Sequence, residues 1–577
     1  MSSRDQILSP RAVEGMIADG GIIVIFEDYV LRLDSWADKH PGGRLAIQHV
    51  VGKDATDEIM AYHFAGTIST MKAYRIGRKP MGPWANMTPP IRGGIYRRPS
   101  ISLGDDSPTL HVLDAALSDD GASTGCDHVI DLSPCLARKP VAAIRSPGTP
   151  DPEKVAGLDD ADEKTGLLAG GGRAGDIPTI LMTPEKYTDW AVQQEIEQGL
   201  RDYPSLDPLV QQDIVRKYRL MHQQVIDEGL YECRYIEYGK EMVRYTSLFA
   251  LFLVALHYSW YITSAVFLGL FWHQIMFTAH DAGHRAITQN FVVDTLIGLF
   301  VADFCCGLSI GWWKRSHNVH HLITNHPEHD PDIQNVPLFA TCPSFFRSVY
   351  STYYDFTFAW DAVANFLVPY QSYTYYPIMG VARFNLYFLS WLHVLSSKAS
   401  ALGNTKAWWI RWTEIVFMTC FWFLFGYCLV WRTLPNWPVR VAFVLVSHIV
   451  TMPLHIQITL SHWGMSTSEL GESESFAQRQ LRTTMDVDCP AWLDFIHGGL
   501  QFQAVHHLFP RVPRHNLRRV QELGLAFSRE TGVPYTIFNF VDGNRKVIDR
   551  LGEVGDQVRI LVQCQKYMAE TRTSGLH

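Results

Sequence analysis

One stretch of the chain carries no formal charge for longer than a membrane crossing requires. No Asp, Glu, Lys or Arg occurs between Arg244 and Asp281, so 36 successive residues are uncharged. About 20 predominantly apolar residues are enough for a helix to cross the hydrocarbon core. The stretch therefore predicts one long tilted span or a tight helical hairpin, and it disfavours an ordinary water-soluble fold.

Two further uncharged intervals predict a second membrane hairpin. They run over 415–431 and 441–468, and the connection TLPNWPVR between them is typical of a turn. Two shorter apolar stretches, 291–310 and 384–397, predict interfacial or re-entrant segments, because the first contains Asp294 and Asp303 and the second is short. We therefore expect about four transmembrane helices.

The composition favours a membrane protein that binds metal. Charged residues make up 19% of the chain and 24 residues are His, whereas soluble domains contain roughly 25% charged residues. The net charge of −8 provides no positive field, so no nucleic-acid partner is expected. The 10 Cys lack CxxC spacing, which disfavours a zinc ribbon. The polar N-terminus has no signal-peptide pattern, so we expect the first domain to stay in the cytosol.

The chain divides into three predicted domains. Residues 1–80 mix short β-rich pieces with helical patterns and predict a compact α+β module. Residues 81–185 are rich in Pro, Gly, Ser and Asp, and they predict a disordered, low-complexity linker. Residues 186–577 combine amphipathic helical patterns with the uncharged intervals and predict a mainly α-helical integral membrane domain.

The N-terminal module contains two histidines that are suited to clamp one haem iron. His40 opens the sequence HPGG, and His63 follows 23 residues later. Gly42 and Gly43 permit a sharp backbone turn, which lets an imidazole project into a pocket. HPGG, the GKDAT stretch and the second His together resemble cytochrome b5 across residues 6–80. The resemblance implies haem b with His40 and His63 as axial ligands, an iron that carries electrons and does not bind oxygen.

Three further histidine groups have the spacing of metal ligands. The groups HDAGH, HNVHH and QAVHH contain, in order, His280 and His284, then His317, His320 and His321, then His506 and His507. Positions i and i+4, or i, i+3 and i+4, share one helix face. Seven imidazoles exceed the four donors of a tetrahedral zinc, so the pattern predicts a two-metal site. Iron is favoured because a zinc hydrolase would have no use for an electron-carrying haem module.

The three groups in this order resemble those of the membrane fatty-acyl and sphingolipid desaturases, and the fused haem module resembles the front-end subfamily. That subfamily has Gln in place of the first His of the third group, and Gln503 occupies this place here. The resemblance implies that the seven histidines bind a catalytic di-iron centre, with Gln503 as a ligand or a hydrogen-bonding neighbour. The family often adds a histidine from a late membrane helix. Of His448, His455 and His462, we expect His462 to be this ligand.

The resemblance also implies a reaction. Electrons from NADH pass through a separate reductase to the haem and then to two non-haem iron ions, where O2 is activated and a lipid chain loses two hydrogens. No GxGxxG nucleotide-binding segment is evident, so we expect NADH-cytochrome b5 reductase to be another protein. The implied location is the endoplasmic reticulum membrane, with several spans in the bilayer and with the haem domain and histidine groups facing the cytosol.

The long polar insertion and the segments around the histidine groups resemble fungal sphingolipid Δ8 desaturases. This resemblance implies a trans double bond in the long-chain base of ceramide or another sphingolipid. A front-end acyl-lipid desaturase acting at Δ5 or Δ6 is the alternative, because it shares all three groups. A lipid hydroxylase would use similar iron and electrons. A membrane metal hydrolase or transporter would explain the histidines but would leave the haem module without a purpose.

Two sets of polar residues lie beside the histidine groups, and each set has two possible interpretations. Those after the second group either orient ligand imidazoles or give polarity to a surface loop: His326, Glu328, His329, Asp330 and Asp332. Basic residues after the third group either contact lipid phosphates or mark the cytosolic side: Arg511, Arg514, Arg518 and Arg519.

Overall fold

The computed structural model describes residues 3–97, 183–396 and 407–571. Most of the predicted linker, residues 98–182, therefore lies outside the described residues. The N-terminal domain contains an antiparallel sheet in the order β1 (Ile23–Phe26), β2 (Tyr29–Arg32) and β3 (Arg75–Arg78). Its helices are α1 (Pro10–Ala18), α2 (Asp34–Ala37), α3 (Arg44–Gln48), α4 (Thr56–Tyr62) and α5 (Ala65–Met71).

This domain has an apolar core of its own, which confirms the predicted α+β module. Strand β1 is buried along its whole length because its residues, IVIF, are all apolar. The folded chain continues past residue 80, where the sequence analysis began the disordered linker. Trp84 is buried and its Nε1 donates to the Gly52 carbonyl at 2.9 Å, and Asn86 Oδ1 accepts the Asp54 N–H at 2.8 Å. Burial of this indole and these hydrogen bonds hold residues 81–97 against the domain.

Two amphipathic helices lead into the membrane domain, α6 (Pro184–Asp202) and α7 (Pro208–Asp227). Each begins with a capping side chain followed by proline: Thr183 accepts the Lys186 N–H, and Asp207 accepts the Leu209 N–H. Such caps satisfy backbone donors that the first turn of a helix leaves free. The two helices therefore start where the sequence returns from polar linker to helical periodicity.

The long uncharged stretch folds as a hairpin of α8 (Tyr235–His257) and α9 (Tyr261–Gly283). The connection between them turns at Ser259, whose φ is 59°. Next, α10 (Phe291–Gly298) continues into a π-helical segment, Leu299–Cys305, and α11 (Ile310–Leu322) follows at an angle of 115°. This bend agrees with the re-entrant segment expected for 291–310.

Four helical stretches of the described chain are long and apolar enough to cross a membrane, which agrees with the expected number. They are Tyr261–Gly283, Ala362–Leu395, Trp409–Thr433 and Trp437–Trp463. The sequence predicts that the stretch 384–397 is interfacial or re-entrant, and that prediction is wrong for its described part. Residues 384–395 complete a span that begins at Ala362, because the less apolar residues before 384 continue the same helical stretch.

These spans are built from several helices. The second consists of α12 (Ala362–Leu367) and α13 (Gln371–Leu395), and the third of α14 (Trp409–Trp422) and the π-helical segment Phe423–Thr433. The fourth consists of α15 (Trp437–Ile449) and α16 (Met452–Trp463). The third and fourth are joined by a short turn, which confirms the second predicted hairpin.

The remaining elements lie between and after the spans. A small antiparallel pair, β4 (Val349–Ser351) and β5 (Phe356–Phe358), precedes α12. The C-terminal part contains α17 (Phe476–Thr483), β6 (Asp486–Asp488), α18 (Asp494–His497), α19 (Gln503–Leu508), α20 (Leu517–Thr531), β7 (Ile537–Asn539) and α21 (Phe540–Thr571). Strands β6 and β7 pair in parallel, so they join the segment after α17 to the segment after α20.

The N-terminal domain is docked on the membrane domain through specific polar contacts. Asp57 forms an ion pair with Arg219 at 2.7 Å, and Lys53 forms one with Glu472 at 3.0 Å. Arg511 Nε also donates to the carbonyl oxygen of Ala61 at 2.8 Å. This docking fixes the end of α4, and with it His63, against the membrane domain.

Candidate functional site

The predicted histidine groups converge at one place, although they come from distant parts of the sequence. His280 and His284 lie at the C-terminal end of α9, and His462 lies at the C-terminal end of α16. The second and third groups lie on α11 and α19. Two spans therefore end at this site, and two short helices outside the four spans complete it.

The imidazoles form two adjacent groups. The ligand atoms of the first group lie within 4.8 Å of one another, and the same holds for the second. The first consists of His280, His284, His317 and His506, and the second of His320, His462 and His507. His321 lies between them: its Nε2 is 2.9 Å from His317 Nε2, and its ring stacks on His507 with centres 4.0 Å apart. The arrangement offers two neighbouring metal positions.

Several nitrogen atoms that face the site have no hydrogen-bond partner within the described chain. They are the Nε2 atoms of His280, His284, His506 and His507, all of them buried. Buried polar atoms are normally hydrogen-bonded, since an unpaired one costs free energy. Neutral imidazole nitrogen is a common ligand of iron and of other transition metals. The residues present therefore fit a pair of metal ions.

Groups around the site hold three imidazoles by their outer nitrogen atoms. His320 Nδ1 donates to Asp330 Oδ2 at 2.8 Å, His462 Nδ1 donates to the Thr483 carbonyl at 3.3 Å, and His507 Nδ1 donates to Gln480 Oε1 at 3.0 Å. Such bonds fix the tautomer and ring orientation of metal-binding histidines. They leave each Nε2 as the atom directed into the cluster.

A buried ion pair ties the first histidine group to the segment after the third. Arg514 Nη1 donates to Asp281 Oδ2 at 2.7 Å and to the Phe277 carbonyl at 2.7 Å. Tyr238 also donates to Asp281, and Glu241 accepts from Arg514. Arg514 is therefore an internal structural residue, and neither sequence-based reading of it, as a lipid contact or as a topology marker, describes this role.

The start of α19 is held by another buried carboxylate. Asp486 Oδ1 accepts the Ala504 N–H at 2.8 Å, and its other oxygen accepts from Tyr535 at 2.6 Å and from Gln521 at 2.7 Å. Burial raises the pKa of Asp486 to about 6. Asp486 thereby positions the helix that carries His506 and His507.

The structure distinguishes among the other candidate residues. Gln503 is buried at the first turn of α19, on the helix face that carries His506 and His507. His448 lies elsewhere, with its ring stacked on Phe384 at 4.6 Å, whereas His462 is 4.6 Å from His320 and 4.8 Å from His507, measured between ring centres. His462 is thus the late-helix histidine that reaches the cluster.

The residues after the second group divide into two sets. Asp330 is fully buried and orients His320, as the first reading of this segment expected. His326 and His329 stack on each other at 4.2 Å, and His329 lies 4.9 Å from His49 of the N-terminal domain. These two histidines therefore belong to the docking surface between the domains.

His40 and His63 face each other across a cavity. Their ring centres are 5.9 Å apart, and each Nδ1 donates to a backbone carbonyl at 3.0 Å, of Gly43 and Ile59 respectively. Burial, and to a lesser extent the nearby His40, lowers the pKa of His63 to about 3, so the His63 imidazole is neutral at pH 7. Gly42 approaches so closely that a Cβ on it would lie 2.8 Å from the His40 ring.

This cavity has a volume of about 440 Å³ and fits a haem. Its lining from the N-terminal domain is largely apolar, as the flat porphyrin requires, and includes Val24, Leu33, Trp36, Ile47, Val50 and Ile59. Both imidazoles keep Nε2 for an axial bond, because Nδ1 is already engaged. The residues present therefore fit the two-histidine ligation that the sequence implies.

Helix α11 contributes to both the cavity and the histidine cluster. Lys314, Asn318 and Leu322, at i, i+4 and i+8, line the cavity. His317 and His321, each next to a cavity-lining residue of this helix, belong to the cluster. His284 contributes to both, since it lines the cavity and sits in the first group of imidazoles. Tyr62, next to His63, also lies edge-on to His321 with ring centres 6.3 Å apart.

A docked haem module beside a polyhistidine metal site at the ends of membrane spans defines a membrane oxidoreductase. Two family profiles match the chain: Cytochrome b5-like Heme/Steroid binding domain over residues 10–79, and Fatty acid desaturase over residues 258–539. The chain belongs to the fatty acid desaturase family and carries a fused cytochrome b5-like domain.

The chain is also similar along almost its whole length to curated fungal proteins, each named Delta 8-(E)-sphingolipid desaturase. The protein of Emericella nidulans is 47% identical over 576 residues, which cover 98% of each chain. The protein of Candida albicans is 43% identical over 584 residues, which cover 97% of this chain and 98% of the relative. The protein of Kluyveromyces lactis is 43% identical over 571 residues, which cover 98% and 96% respectively.

Proposed function

We propose that this protein introduces a trans double bond at position 8 of the long-chain base of a sphingolipid such as ceramide. The observation that carries the proposal is its full-length similarity to the Delta 8-(E)-sphingolipid desaturase of Emericella nidulans, at 47% identity. A similarity that covers 98% of both chains includes the spans and the loops that shape a lipid site, and not only the histidine groups. The proposal therefore places the sphingoid base ahead of the acyl chain as the substrate.

The reaction balances with two external electrons. Two neighbouring methylene carbons each lose one hydrogen and become joined by a double bond, and one O2 becomes two waters with two further electrons and two protons. NADH, oxidised by a separate reductase, supplies these electrons. Bound haem carries electrons singly and bound iron activates O2, which a methylene group requires because it is otherwise unreactive.

The geometry supports a particular set of residues for holding these groups. In the proposal, His40 and His63 hold haem b. Two iron ions are held by His280, His284, His317, His320, His321, His462, His506 and His507, and Gln503 is their ligand or neighbour. Asp330, Thr483 and Gln480 keep the imidazoles oriented.

The proposal also places the protein in the endoplasmic reticulum membrane, with the haem domain and the histidine cluster on the cytosolic side. Support comes from the way α9 and α16 end at the cluster, on which the N-terminal domain is docked. A single side of the membrane therefore carries both redox sites. A reductase on that side would reach the protein without crossing the bilayer.

Expression in a host that lacks Δ8 desaturation tests the function. Mass spectrometry of hydrolysed long-chain bases and of fatty acids should show a new Δ8 trans double bond in the bases alone. The His320→Ala variant, expressed to the same level, should give none. A change confined to fatty acids would transfer the assignment to an acyl-lipid desaturase, and an added oxygen without a double bond would indicate a hydroxylase.

A further inference from the structure

The cavity between His40 and His63 is closed by residues of both domains. The N-terminal domain supplies the apolar walls, whereas the membrane domain supplies one end, where Arg285, Lys314 and Arg511 lie. All three residues carry positive charge. None of them forms an ion pair with a carboxylate in the described part of the chain, although all three line the same cavity.

Arg285 and Lys314 are partly buried, and neither forms an ion pair within the described residues. The carboxylate of Asp294 is near both, but its Oδ1 accepts hydrogen bonds from Thr288. Lys314 has the ring of Phe291 as its neighbour at 5.9 Å. Arg285 makes one long hydrogen bond, from Nη2 to the Gln289 carbonyl at 3.3 Å, and its buried Nε has no partner among the described residues. Such groups cost free energy unless an anion or acceptor satisfies them.

The backbone conformation of Arg285 also indicates that its side chain is held in a fixed position. Arg285 follows the end of α9 with a φ of 59°, in the left-handed region that non-glycine residues seldom adopt. Residues in that region are concentrated at ligand-binding sites, because the surrounding structure must hold them there. This conformation directs the chain away from α9 immediately after His284.

Arg511 differs from the other two cations because it already has acceptors. Its Nε donates to the Ala61 carbonyl at 2.8 Å, and its Nη2 donates to the Met60 carbonyl at 3.1 Å. It therefore clamps the end of α4 beside His63. Two cations, Arg285 and Lys314, remain available for a ligand in the cavity.

The cavity also contains one acidic residue, Glu58 of the N-terminal domain. Glu58 lines a second, smaller cavity as well, together with Lys53 and Arg479. Burial raises the pKa of Glu58 to about 7, and the positive charge of Lys53 opposes this shift. Glu58 is therefore associated with a different set of cations from that of the membrane-domain end.

We propose that Arg285 and Lys314 bind the two propionate carboxylates of the haem, so that the haem is a ligand shared by both domains. The inference rests on the haem assignment proposed above. A haem has an apolar ring and two carboxylates on one edge, and the cavity has apolar walls and, at one end, two cations that form no ion pair among the described residues. Ammonium and guanidinium groups bind carboxylates through charge-assisted hydrogen bonds, which are stronger than neutral ones.

The first test measures how fast the purified full-length holoprotein loses haem to an excess of apomyoglobin. The Lys314→Met variant should release haem about tenfold faster, which corresponds to about 1.4 kcal/mol. Arg285→Gln should act in the same direction, and Lys314→Arg should restore the rate because it keeps the charge. Lys72→Met is the matched control, since Lys72 pairs with Glu27 at 2.8 Å and does not line the cavity.

The second test removes the carboxylate charges from the haem. The apoprotein is reconstituted with haem dimethyl ester, and the two-histidine spectrum is used to verify ligation. The wild type should then lose the ester about as fast as the double variant Lys314→Met/Arg285→Gln loses natural haem. The double variant should lose the ester no faster than it loses natural haem, because both contacts with the carboxylates are already broken. The midpoint potential of the haem should also be lower in Lys314→Met than in the wild type, because the variant lacks one positive charge near the haem.

Two results would overturn the inference. One is a wild-type rate of haem loss in both Lys314→Met and Arg285→Gln. The other is an ester effect of the same size in the wild type and in the variants, because it would show that the carboxylates have no partner at these positions. Failure of the haem assignment itself is distinguishable: in that case His63→Ala would keep the two-histidine spectrum.

Discussion

The Nδ1 of His320 lies 2.8 Å from a carboxylate oxygen of Asp330, and both side chains are fully buried. The same carboxylate oxygen accepts the Asn325 N–H at 2.8 Å, so the loop after α11 is folded around it. His320 is therefore held with Nε2 directed towards His462 and His507. This pair explains why a carboxylate follows the second histidine group at a distance of ten residues.

Replacement of Asp330 by Ala should lower the affinity for non-haem iron without removing a ligand atom. Loss of a residue that orients a metal ligand typically costs 10- to 100-fold in metal affinity. The measurement is non-haem iron per chain as a function of free iron(II), with haem absorbance as a check of folding. Asp332→Asn is the control, because Asp332 lies farther from His320, at 3.6 Å. Equal iron affinity of Asp330→Ala and the wild type would contradict this role.

His462 and His455 allow a matched comparison on one helix. His462 lies in the cluster, whereas His455 Nε2 bonds to Thr451 Oγ1 at 3.3 Å, one turn back along the fourth span. His462→Ala should therefore reduce bound iron by about one ion per chain, since the second group of imidazoles has three members in the cluster and a metal needs several donors. His455→Ala should keep the wild-type iron content. Similar iron loss in both variants would show that the effect comes from damage to the span.

Much of this site was predictable because histidine spacing is a local property. The i, i+3 and i+4 positions of His317, His320 and His321 already place three imidazoles towards one side of a helix. The residues that orient the other clustered imidazoles were harder to predict from the sequence. Gln480 lies 27 residues before His507, which it orients, and Thr483 lies 21 residues after His462, which it orients. No local pattern links a neutral amide or a carbonyl to an imidazole at such a separation.

The boundaries that were wrong depended on long-range packing. Residues 81–97 are poor in periodicity, and their order comes from contacts such as the one between Trp84 and Gly52. The span Ala362–Leu395 begins before the most apolar stretch, and it includes Arg383, which donates to the Cys306 carbonyl at 2.9 Å. A charged side chain that finds an acceptor inside the protein does not end a span, although it lowers the hydropathy of the sequence.

The ion pair between Asp281 and Arg514 should contribute strongly to stability. Both side chains are at most 6% exposed, and removal of one partner from a buried pair costs about 3–5 kcal/mol because a charge is left uncompensated. Arg514→Gln and Asp281→Asn should each reduce the free energy of unfolding by about this amount, and the double variant by less than the sum. Arg518→Gln is the control: its pair with Asp494 is 37% exposed on each side, and such pairs contribute about 0–1 kcal/mol.

The measurement is a double-mutant cycle by denaturant unfolding in mixed micelles. Non-additive losses for Asp281 and Arg514 would establish direct coupling between the first histidine group and the segment after the third. Additive losses would contradict it, since the two charges would then act independently. A loss for Arg518→Gln as large as that for Arg514→Gln would show that the whole basic segment, and not this pair, determines stability.

His63→Ala should separate the two redox sites. The variant loses one axial ligand, so it should lose the two-histidine haem spectrum and its desaturation activity in cells. Its non-haem iron should remain close to the wild-type amount, because none of the clustered imidazoles is altered. Absorbance of the haem, chemical iron analysis and product analysis are made on the same preparation. His320→Ala should give the converse result, with an intact haem spectrum, reduced non-haem iron and no product. Full activity of His63→Ala would eliminate electron relay through this domain, and loss of both metals in both variants would mean that the sites fold as one unit.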